Sequence, residues 1–269
     1  MPKIAARTQV FYVATWLLVH GFTGAPASFD PLCARLEALS RGTKLDIVRE
    51  ALPGHAGRAV DPEDSFEGAV NALVTRIKQL APPIRVLGYS MGARLVLGAL
   101  VGLAARPGTR ISSATLIGAH FGLETAAART ARVLSDDAWA HMLDAHGLET
   151  FLEAWGRQDL FASQAALPPA ALEMQAGLRR SHSAAGLAGA LRQLGLGRMP
   201  NYWPSLSALS LPIRLVVGAH DAKFLALASR ALASLPRGDL TVVPGVGHNV
   251  LLEAPRELAA ILQSDRAGC

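Results

Sequence analysis

Hydrophobic and polar positions along the chain follow two alternating patterns. Short apolar runs are typical of buried parallel strands, whereas stretches with an apolar residue every three or four positions predict amphipathic helices. Such helical spacing covers residues 29–39, 66–77 and 94–103. Strands that alternate with helices indicate an α/β fold with a mainly parallel sheet and right-handed crossovers. The predicted strands, in chain order, are Trp16–Val19, Leu45–Val48, Ile84–Leu87, Ala114–Ile117, Ile213–Val217 and Leu240–Val243.

The alternation stops after the fourth predicted strand. Residues 121–207 are rich in alanine, leucine and arginine, have helical spacing and contain no convincing strand pattern. We therefore predict that residues 1–120 and 208–269 form the core. The helical insertion between them, residues 121–207, is called the cap segment below.

A Gly-x-Ser-x-Gly pattern at Gly88–Gly92 follows the third predicted strand and precedes a helix. This context is that of a nucleophile elbow, in which the serine occupies a strained turn. The residues two before and two after Ser90 must then lack a Cβ atom that would clash. The N-terminus of the following helix favours negative charge near the serine. Because the chain has 25 glycines, the pattern alone could also arise by chance.

Two other predicted strands end at residues that could assist Ser90. Asp221 follows the fifth strand and His248 follows the sixth, so the order Ser90, Asp221, His248 is that of an α/β-hydrolase triad. The carboxylate would fix the imidazole tautomer, and the imidazole would reach the serine. The other seven histidines lack such a context, and we interpret His55 as a structural residue of its loop.

A glycine-rich turn at His20–Gly24 follows the first strand. In this fold the corresponding loop supplies one backbone donor of an oxyanion hole, and the residue after the nucleophile supplies the other. We therefore predict the N–H groups of Phe22 and Met91 as the two donors.

Composition excludes several classes of protein. Hydrophobic residues make up 51% of the chain and charged residues 17%, which indicates a packed globule. A net charge of +5 with scattered arginines favours a small anionic substrate over nucleic acid.

Cys33 and Cys269 do not support a disulfide framework, so a cytoplasmic location is expected. The apolar run Val10–Val19 is too short for membrane insertion. Clusters for a metal and fingerprints for a cofactor are absent, so we expect neither.

Several segments that the fold does not require resemble the 2-succinyl-6-hydroxy-2,4-cyclohexadiene-1-carboxylate (SHCHC) synthase family of menaquinone biosynthesis. The resemblance extends from about Leu17 to Pro255. It is carried by residues 88–94, 160–164 (Leu-Phe-Ala-Ser-Gln), 191–203, 221–224 (Asp-Ala-Lys-Phe) and 247–249. The resemblance implies a lyase that eliminates pyruvate from 2-succinyl-5-enolpyruvyl-6-hydroxy-3-cyclohexene-1-carboxylate. Ser90, activated by His248 and oriented by Asp221, would then remove a proton, and the oxyanion donors would stabilise an enolate.

The resemblance also implies groups that bind the three carboxylates of this substrate. Arg94, Arg132 and Arg179 match family positions that would hold carboxylates, and Tyr89 and Trp155 match aromatic residues of the pocket. At the third arginine position, neighbouring Arg180 is an alternative to Arg179.

Two other functions stay open from the sequence. A serine hydrolase, either a carboxylesterase or a carbon–carbon bond hydrolase, would use Ser90 as a covalent nucleophile on a small anionic substrate. A catalytically silent receptor would not need an intact triad. Departures from the family pattern at Ala93 and at Ala219–His220 leave the substrate open. We expect a monomer or a weak homo-oligomer.

Overall fold

The structure is a computed structural model, and it describes residues 14–40, 44–61, 63–104 and 111–264. The start of the apolar run at Val10 and the second cysteine, Cys269, lie outside the described residues.

The centre of the fold is a six-stranded sheet in the order β2-β1-β3-β4-β5-β6. Every neighbouring pair is parallel. Each predicted apolar run lies in one of these strands, except that Leu45 directly precedes β2, so the predicted α/β-hydrolase arrangement is confirmed. The strands are β1 Thr15–Val19, β2 Asp46–Glu50, β3 Ile84–Tyr89, β4 Ile111–Ile117, β5 Ile213–Gly218 and β6 Gly238–Val243.

Helices cover both faces of the sheet, because each face carries its own buried apolar cluster. On one face α2, α3 and α7 contribute residues such as Leu73 and Leu97, and on the other α1 and α9 contribute residues such as Leu36 and Leu258. Burial on both faces explains why the four central strands β1, β3, β4 and β5 contain continuous apolar runs rather than alternating patterns. The helices are α1 Asp30–Leu39, α2 Phe66–Gln79, α3 Met91–Ala104, α4 Ala126–Gly156, α5 Pro169–Arg180, α6 Ala184–Leu194, α7 Ala222–Leu232, α8 Val250–Glu253 and α9 Pro255–Ser264.

The cap segment contains α4, α5, α6 and short 3₁₀ turns, and none of its residues lies in a strand. Helix α4 changes direction at Gly147, which has a φ of 77°. Helix α6 packs against α4, and residues such as Phe151 and Leu187 form a third apolar cluster between them. The cap segment therefore has a small core of its own.

The cap segment meets the core at a point where two backbones touch. A Cβ atom on Gly54, in the loop after β2, would lie 2.1 Å from the carbonyl oxygen of Gly186 in α6. A Cβ atom on Gly186 would in turn lie 2.7 Å from the oxygen of Gly54. Neither position has room for a side chain, so α6 rests directly on this loop.

Candidate active site

Ser90 occupies the turn between β3 and α3 with a φ of 52°, a left-handed conformation that non-glycine residues rarely adopt. The flanking glycines permit this turn. A Cβ atom on Gly88 would lie 2.6 Å from the Cα atom of Ala93, and one on Gly92 would lie 2.2 Å from the oxygen of Val19. Both positions therefore require glycine, as the sequence pattern predicts.

His248 joins Ser90 to Asp221. Its Nε2 atom lies 3.0 Å from Ser90 Oγ, and its Nδ1 atom lies 2.6 Å from Asp221 Oδ2. Because an ionised carboxylate only accepts hydrogen bonds, Nδ1 donates to Asp221, and Nε2 is left to accept the serine proton. The structure thus brings the three predicted residues together in the geometry of a general base or an activated nucleophile.

The loop that carries His248 is held by Glu253, a residue to which the sequence analysis gave no role. Its two carboxylate oxygens accept the N–H groups of Gly247 and Asn249, at 2.7 Å and 3.1 Å. These N–H groups belong to the neighbours of His248 on either side, so Glu253 fixes the path of the loop. The local signal was an acidic residue in the short helix directly after the histidine.

The predicted oxyanion donors border the same cavity as Ser90. Helix α3 begins at Met91, so its first N–H has no partner within the helix. Among the residues that the structure describes, the Phe22 and Met91 N–H groups meet no hydrogen-bond acceptor. The turn around Phe22 is closed by a 3.0 Å hydrogen bond from Gly24 N–H to the Gly21 carbonyl. Both N–H groups are therefore available to a negatively charged oxygen near Ser90.

Two buried histidines, His20 and His55, lie between the glycine-rich turn after β1 and the loop after β2. His20 Nδ1 donates to the carbonyl of Gly21 at 2.8 Å, and its Nε2 accepts the N–H of Leu52 at 3.2 Å. His55, whose ring centroid lies 5.2 Å from that of His20, is fully buried. These contacts tie the glycine-rich turn to the loop after β2.

A third buried histidine, His182, extends this group from the cap segment. His55 Nδ1 donates to the Pro53 carbonyl at 2.9 Å, and its Nε2 accepts the N–H of Thr23 at 3.2 Å. His182 Nε2 donates to the Thr23 carbonyl at 3.2 Å, and its Nδ1 accepts the N–H of Ala56 at 3.2 Å. The interpretation of His55 as a structural residue is confirmed. His20 and His182 had no sequence signal that linked them to it.

All three imidazoles must be neutral, because each accepts a hydrogen bond from a backbone N–H. Burial is the main cause that keeps them so. It lowers the pKa of His20 to about 4, lowers the pKa of His55 well below its usual value, and also lowers the pKa of His182. The histidine cluster, as we call His20, His55 and His182, is thus a neutral polar network between core and cap segment.

A cavity of about 620 Å³ opens beside Ser90 and His248, and Arg94 is the most buried cation on its wall. Its Nη1 atom donates to the carbonyl of Leu194 at 3.1 Å, and within the described part of the chain no carboxylate forms an ion pair with it. Burial, followed by the nearby charge of Arg132, lowers the pKa of Arg94 to about 9. A bound carboxylate would offset this cost of desolvation.

Arg132 and Lys223 line the same cavity. Arg132 Nε lies 2.8 Å from Oδ1 of Asp136, so part of its charge is already compensated. Burial lowers the pKa of Lys223, and the charge of Arg132 adds to this effect. Burial and the charges of Arg94 and Lys223 lower the pKa of His120 to about 4, so His120 is neutral at pH 7. The sequence analysis had given Lys223 and His120 no role, although the Asp-Ala-Lys-Phe segment had been noted.

A smaller cavity of about 80 Å³ also borders Ser90 and His248, and its lining includes Tyr89, Trp155 and Arg179. The guanidinium of Arg179 lies 5.2 Å from the ring centroid of Phe161. Arg180 is 58% exposed and lies 3.9 Å from Glu149, outside this cavity. The structure therefore places Arg179, and not Arg180, beside the triad.

Trp155 borders both cavities. Its indole N–H is buried and has no acceptor among the residues that the structure describes. Tyr89 lies under the smaller cavity, and burial raises the pKa of its hydroxyl. All five predicted binding residues thus border one of the two cavities that meet at Ser90.

Other kinds of site were also sought in the described ranges. No group of three histidine, cysteine, aspartate or glutamate side chains there is arranged to hold a metal ion. Within the same ranges, every helix is too short or too polar to cross a membrane.

Comparisons with known proteins agree with this geometry. The profile described as "Alpha/beta hydrolase family" matches residues 16–261. The 2-succinyl-6-hydroxy-2,4-cyclohexadiene-1-carboxylate synthase of Salmonella arizonae is 31% identical, and the match covers 89% of this chain and 89% of that protein. Protein PHYLLO of Arabidopsis thaliana is 30% identical over 92% of this chain, which spans only 15% of the length of PHYLLO. The structure of MenH from S. aureus superposes with a TM-score of 0.84 at 26% identity, covering 94% of this chain and 95% of that one.

Proposed function

The chain belongs to the alpha/beta hydrolase family and, within it, to the SHCHC synthases, and from this premise we propose how its site acts. The enzyme is a carbon–oxygen lyase of menaquinone biosynthesis. It eliminates pyruvate from 2-succinyl-5-enolpyruvyl-6-hydroxy-3-cyclohexene-1-carboxylate. The observation that carries the proposed mechanism is the Ser90–His248–Asp221 chain at the junction of two cavities that carry cationic side chains.

The names of substrate and product define the chemical step. The ring double bond at position 3 becomes a pair at positions 2 and 4, so the proton is lost from C2, beside the succinyl carbonyl. The electrons of that C–H bond form the C2–C3 double bond, the ring double bond moves to C4–C5, and the C5–O bond breaks. The leaving group departs as enolpyruvate, which becomes pyruvate on protonation.

Ser90 and His248 supply the base for this step. The His248 Nε2 atom accepts the Ser90 proton across 3.0 Å, so the serine oxygen gains the basicity needed to take the C2 proton. Asp221, at 2.6 Å from Nδ1, stabilises the imidazolium that results. No acyl-enzyme is required, and all proton transfers use groups of this chain, so we propose no cofactor and no metal.

The negative charge that develops on the succinyl oxygen needs donors. The N–H groups of Phe22 and Met91 border the same cavity as Ser90 and lack protein acceptors within the described residues. We assign them to this oxygen, because donors arranged in advance at the site of developing charge stabilise a transition state strongly.

The site must also bind the three carboxylates of the substrate. Arg94, Arg132 and Lys223 in the larger cavity and Arg179 in the smaller one offer four cations to three carboxylates. Tyr89 and Trp155 would pack against the ring and its substituents. An esterase for neutral substrates would not need a buried, unpaired arginine next to the nucleophile, and this favours the lyase over the hydrolase. We place the enzyme in the cytoplasm, as a monomer or weak homo-oligomer that acts on a small anionic substrate without nucleic acid or membrane insertion.

Pyruvate release tests this function. The purified protein is incubated with the enolpyruvyl substrate, and pyruvate is followed by coupling to lactate dehydrogenase. We expect release that depends on Ser90, with at least a 100-fold lower rate for Ser90→Ala. Release no faster than in buffer, together with efficient hydrolysis of p-nitrophenyl acetate, would instead favour a serine hydrolase.

A further inference from the structure

Thr23 has an unusual backbone conformation for its residue type. Its φ is 59°, in the left-handed region, where a β-branched side chain is disfavoured. Such a conformation persists only where surrounding contacts hold it. Thr23 directly follows Phe22, the residue to which we assign one of the two oxyanion donors.

Both backbone polar groups of Thr23 are held by imidazoles. His55 accepts its N–H at 3.2 Å, and His182 donates to its carbonyl at 3.2 Å. His55 belongs to the core, whereas His182 lies between α5 and α6 and so comes from the cap segment. His182 is 5% exposed, and its second nitrogen accepts the N–H of Ala56, which is also left-handed, with a φ of 50°.

The conformation of Thr23 controls the direction of the Phe22 N–H. Gly21 to Gly24 form a turn closed by one hydrogen bond, and Thr23 is its third residue, where turns with a positive φ usually have glycine. The Gly21 carbonyl that closes the turn belongs to the same peptide plane as the Phe22 N–H. In a trans peptide these two groups point in opposite directions, so the closed turn aims the N–H away from Gly24.

We propose that His182 is a positioning residue of the oxyanion hole. From the cap segment it holds Thr23 in the left-handed conformation, and through the Gly21–Gly24 turn it fixes the direction of the Phe22 N–H. This inference rests on the proposed function for the identity of the oxyanion, but not for the contacts of His182. His182 borders neither cavity at the triad. Substitution of His182 should therefore lower the rate of the chemical step rather than weaken substrate binding.

The two hydrogen bonds of His182 can be separated by substitution. In His182→Gln the side-chain amide can reach the position of Nε2 and donate to the Thr23 carbonyl. In His182→Asn the amide oxygen reaches only the position of Nδ1 and accepts from Ala56. A role limited to holding the 52–57 loop is met by asparagine, whereas a role in the oxyanion turn needs glutamine.

The experiment compares His182→Ala, His182→Gln and His182→Asn with the wild type in pyruvate release. A misplaced catalytic group costs about 10- to 100-fold in rate. We therefore expect kcat to fall by that factor in the alanine and asparagine variants, with KM within twofold, and to recover to within threefold of wild type with glutamine. Equal recovery by asparagine and glutamine, unchanged kcat in all three, or an effect on KM alone would overturn the proposal.

A second readout does not depend on the reaction or on the stability of the alanine variant. The backbone amide signal of Phe22 in a ¹H–¹⁵N spectrum should keep its position in His182→Gln and shift in His182→Asn. Shifts of the same size in both would refute the positioning role, even if wild-type protein releases no pyruvate. Absence of pyruvate release from the wild type, with the expected amide shifts, would instead count against the proposed function alone.

Discussion

The edge of the sheet and the cap segment contribute to the same site in different ways. Ser90 directly follows β3, and Asp221 and His248 lie in the loops after β5 and β6, so the direction of the chain brings all three to one edge. Arg132 and Arg179 lie on helices whose orientation depends on packing between α4, α5 and α6. Reactive groups are thus fixed by topology, and the substrate-binding groups of the cap segment are fixed by tertiary contacts. The two sets should respond differently to substitution.

Loss of His248 should have the largest effect. His248→Ala removes the proton acceptor of Ser90, and general base catalysis contributes about 10²- to 10⁴-fold. We expect kcat for pyruvate release to fall by about 10³-fold, with KM little changed. His146→Ala, at an exposed position of the cap segment, is the control and should keep wild-type kcat. A similar loss in both variants would mean that the sheet edge has no special role.

Arg94→Gln should have the next largest effect, and only for the anionic substrate. A hydrogen bond to a charged group contributes about 1.5–3 kcal/mol, so kcat/KM for pyruvate release should fall by about 10- to 150-fold. Hydrolysis of p-nitrophenyl acetate, which has no carboxylate, should stay within threefold of wild type. Equal losses with both substrates would show that Arg94 only supports the fold.

The histidine cluster predicts acid sensitivity at the boundary between the two regions. The pKa of His20 is about 4 and those of His55 and His182 are also lowered, so the unfolded chain binds protons more readily than the folded chain. The contribution of the neutral histidines to the free energy of unfolding is therefore complete above about pH 6.5. It is lost as pH falls toward about 4, by up to about 1.4 kcal/mol per pH unit for each histidine.

Urea unfolding between pH 7.5 and pH 4.5 measures this dependence. The His182→Gln variant should show a shallower loss of unfolding free energy than wild type over this range. The exposed-histidine variant His141→Ala should show the wild-type slope. Identical slopes for His182→Gln and wild type would place the acid sensitivity elsewhere.

The smallest effect is expected within the cap segment itself. Arg179 borders the smaller cavity, so Arg179→Gln should raise KM for the anionic substrate by about fivefold, as expected for one partly screened charge contact. Arg180→Gln, at the adjacent exposed position, should leave KM unchanged. A larger effect from Arg180→Gln would mean that the cap segment adopts another arrangement when substrate binds.

The same contrast explains what could be predicted from the sequence. Ser90, Asp221 and His248 could be located from strand ends and glycine spacing. Each of these patterns spans only a few neighbouring residues and fits one local structure. Contacts between residues far apart were not predictable. His182 meets Thr23 across 159 positions, and no residue pattern marks that pair. Likewise, the choice between Arg179 and Arg180 depends on which way the last turn of α5 faces, and adjacent residues of the same type give no signal.

The contact between Gly54 and Gly186 limits how this protein can change over time. Each backbone occupies the space that a methyl group on the other would need. Alanine at either position would therefore push α6 away from the loop after β2. Residues that line the cavities can be exchanged for other side chains, whereas the Gly54–Gly186 contact allows no larger residue at either position. A design that replaces the cap segment with that of another protein would have to keep glycine at both positions.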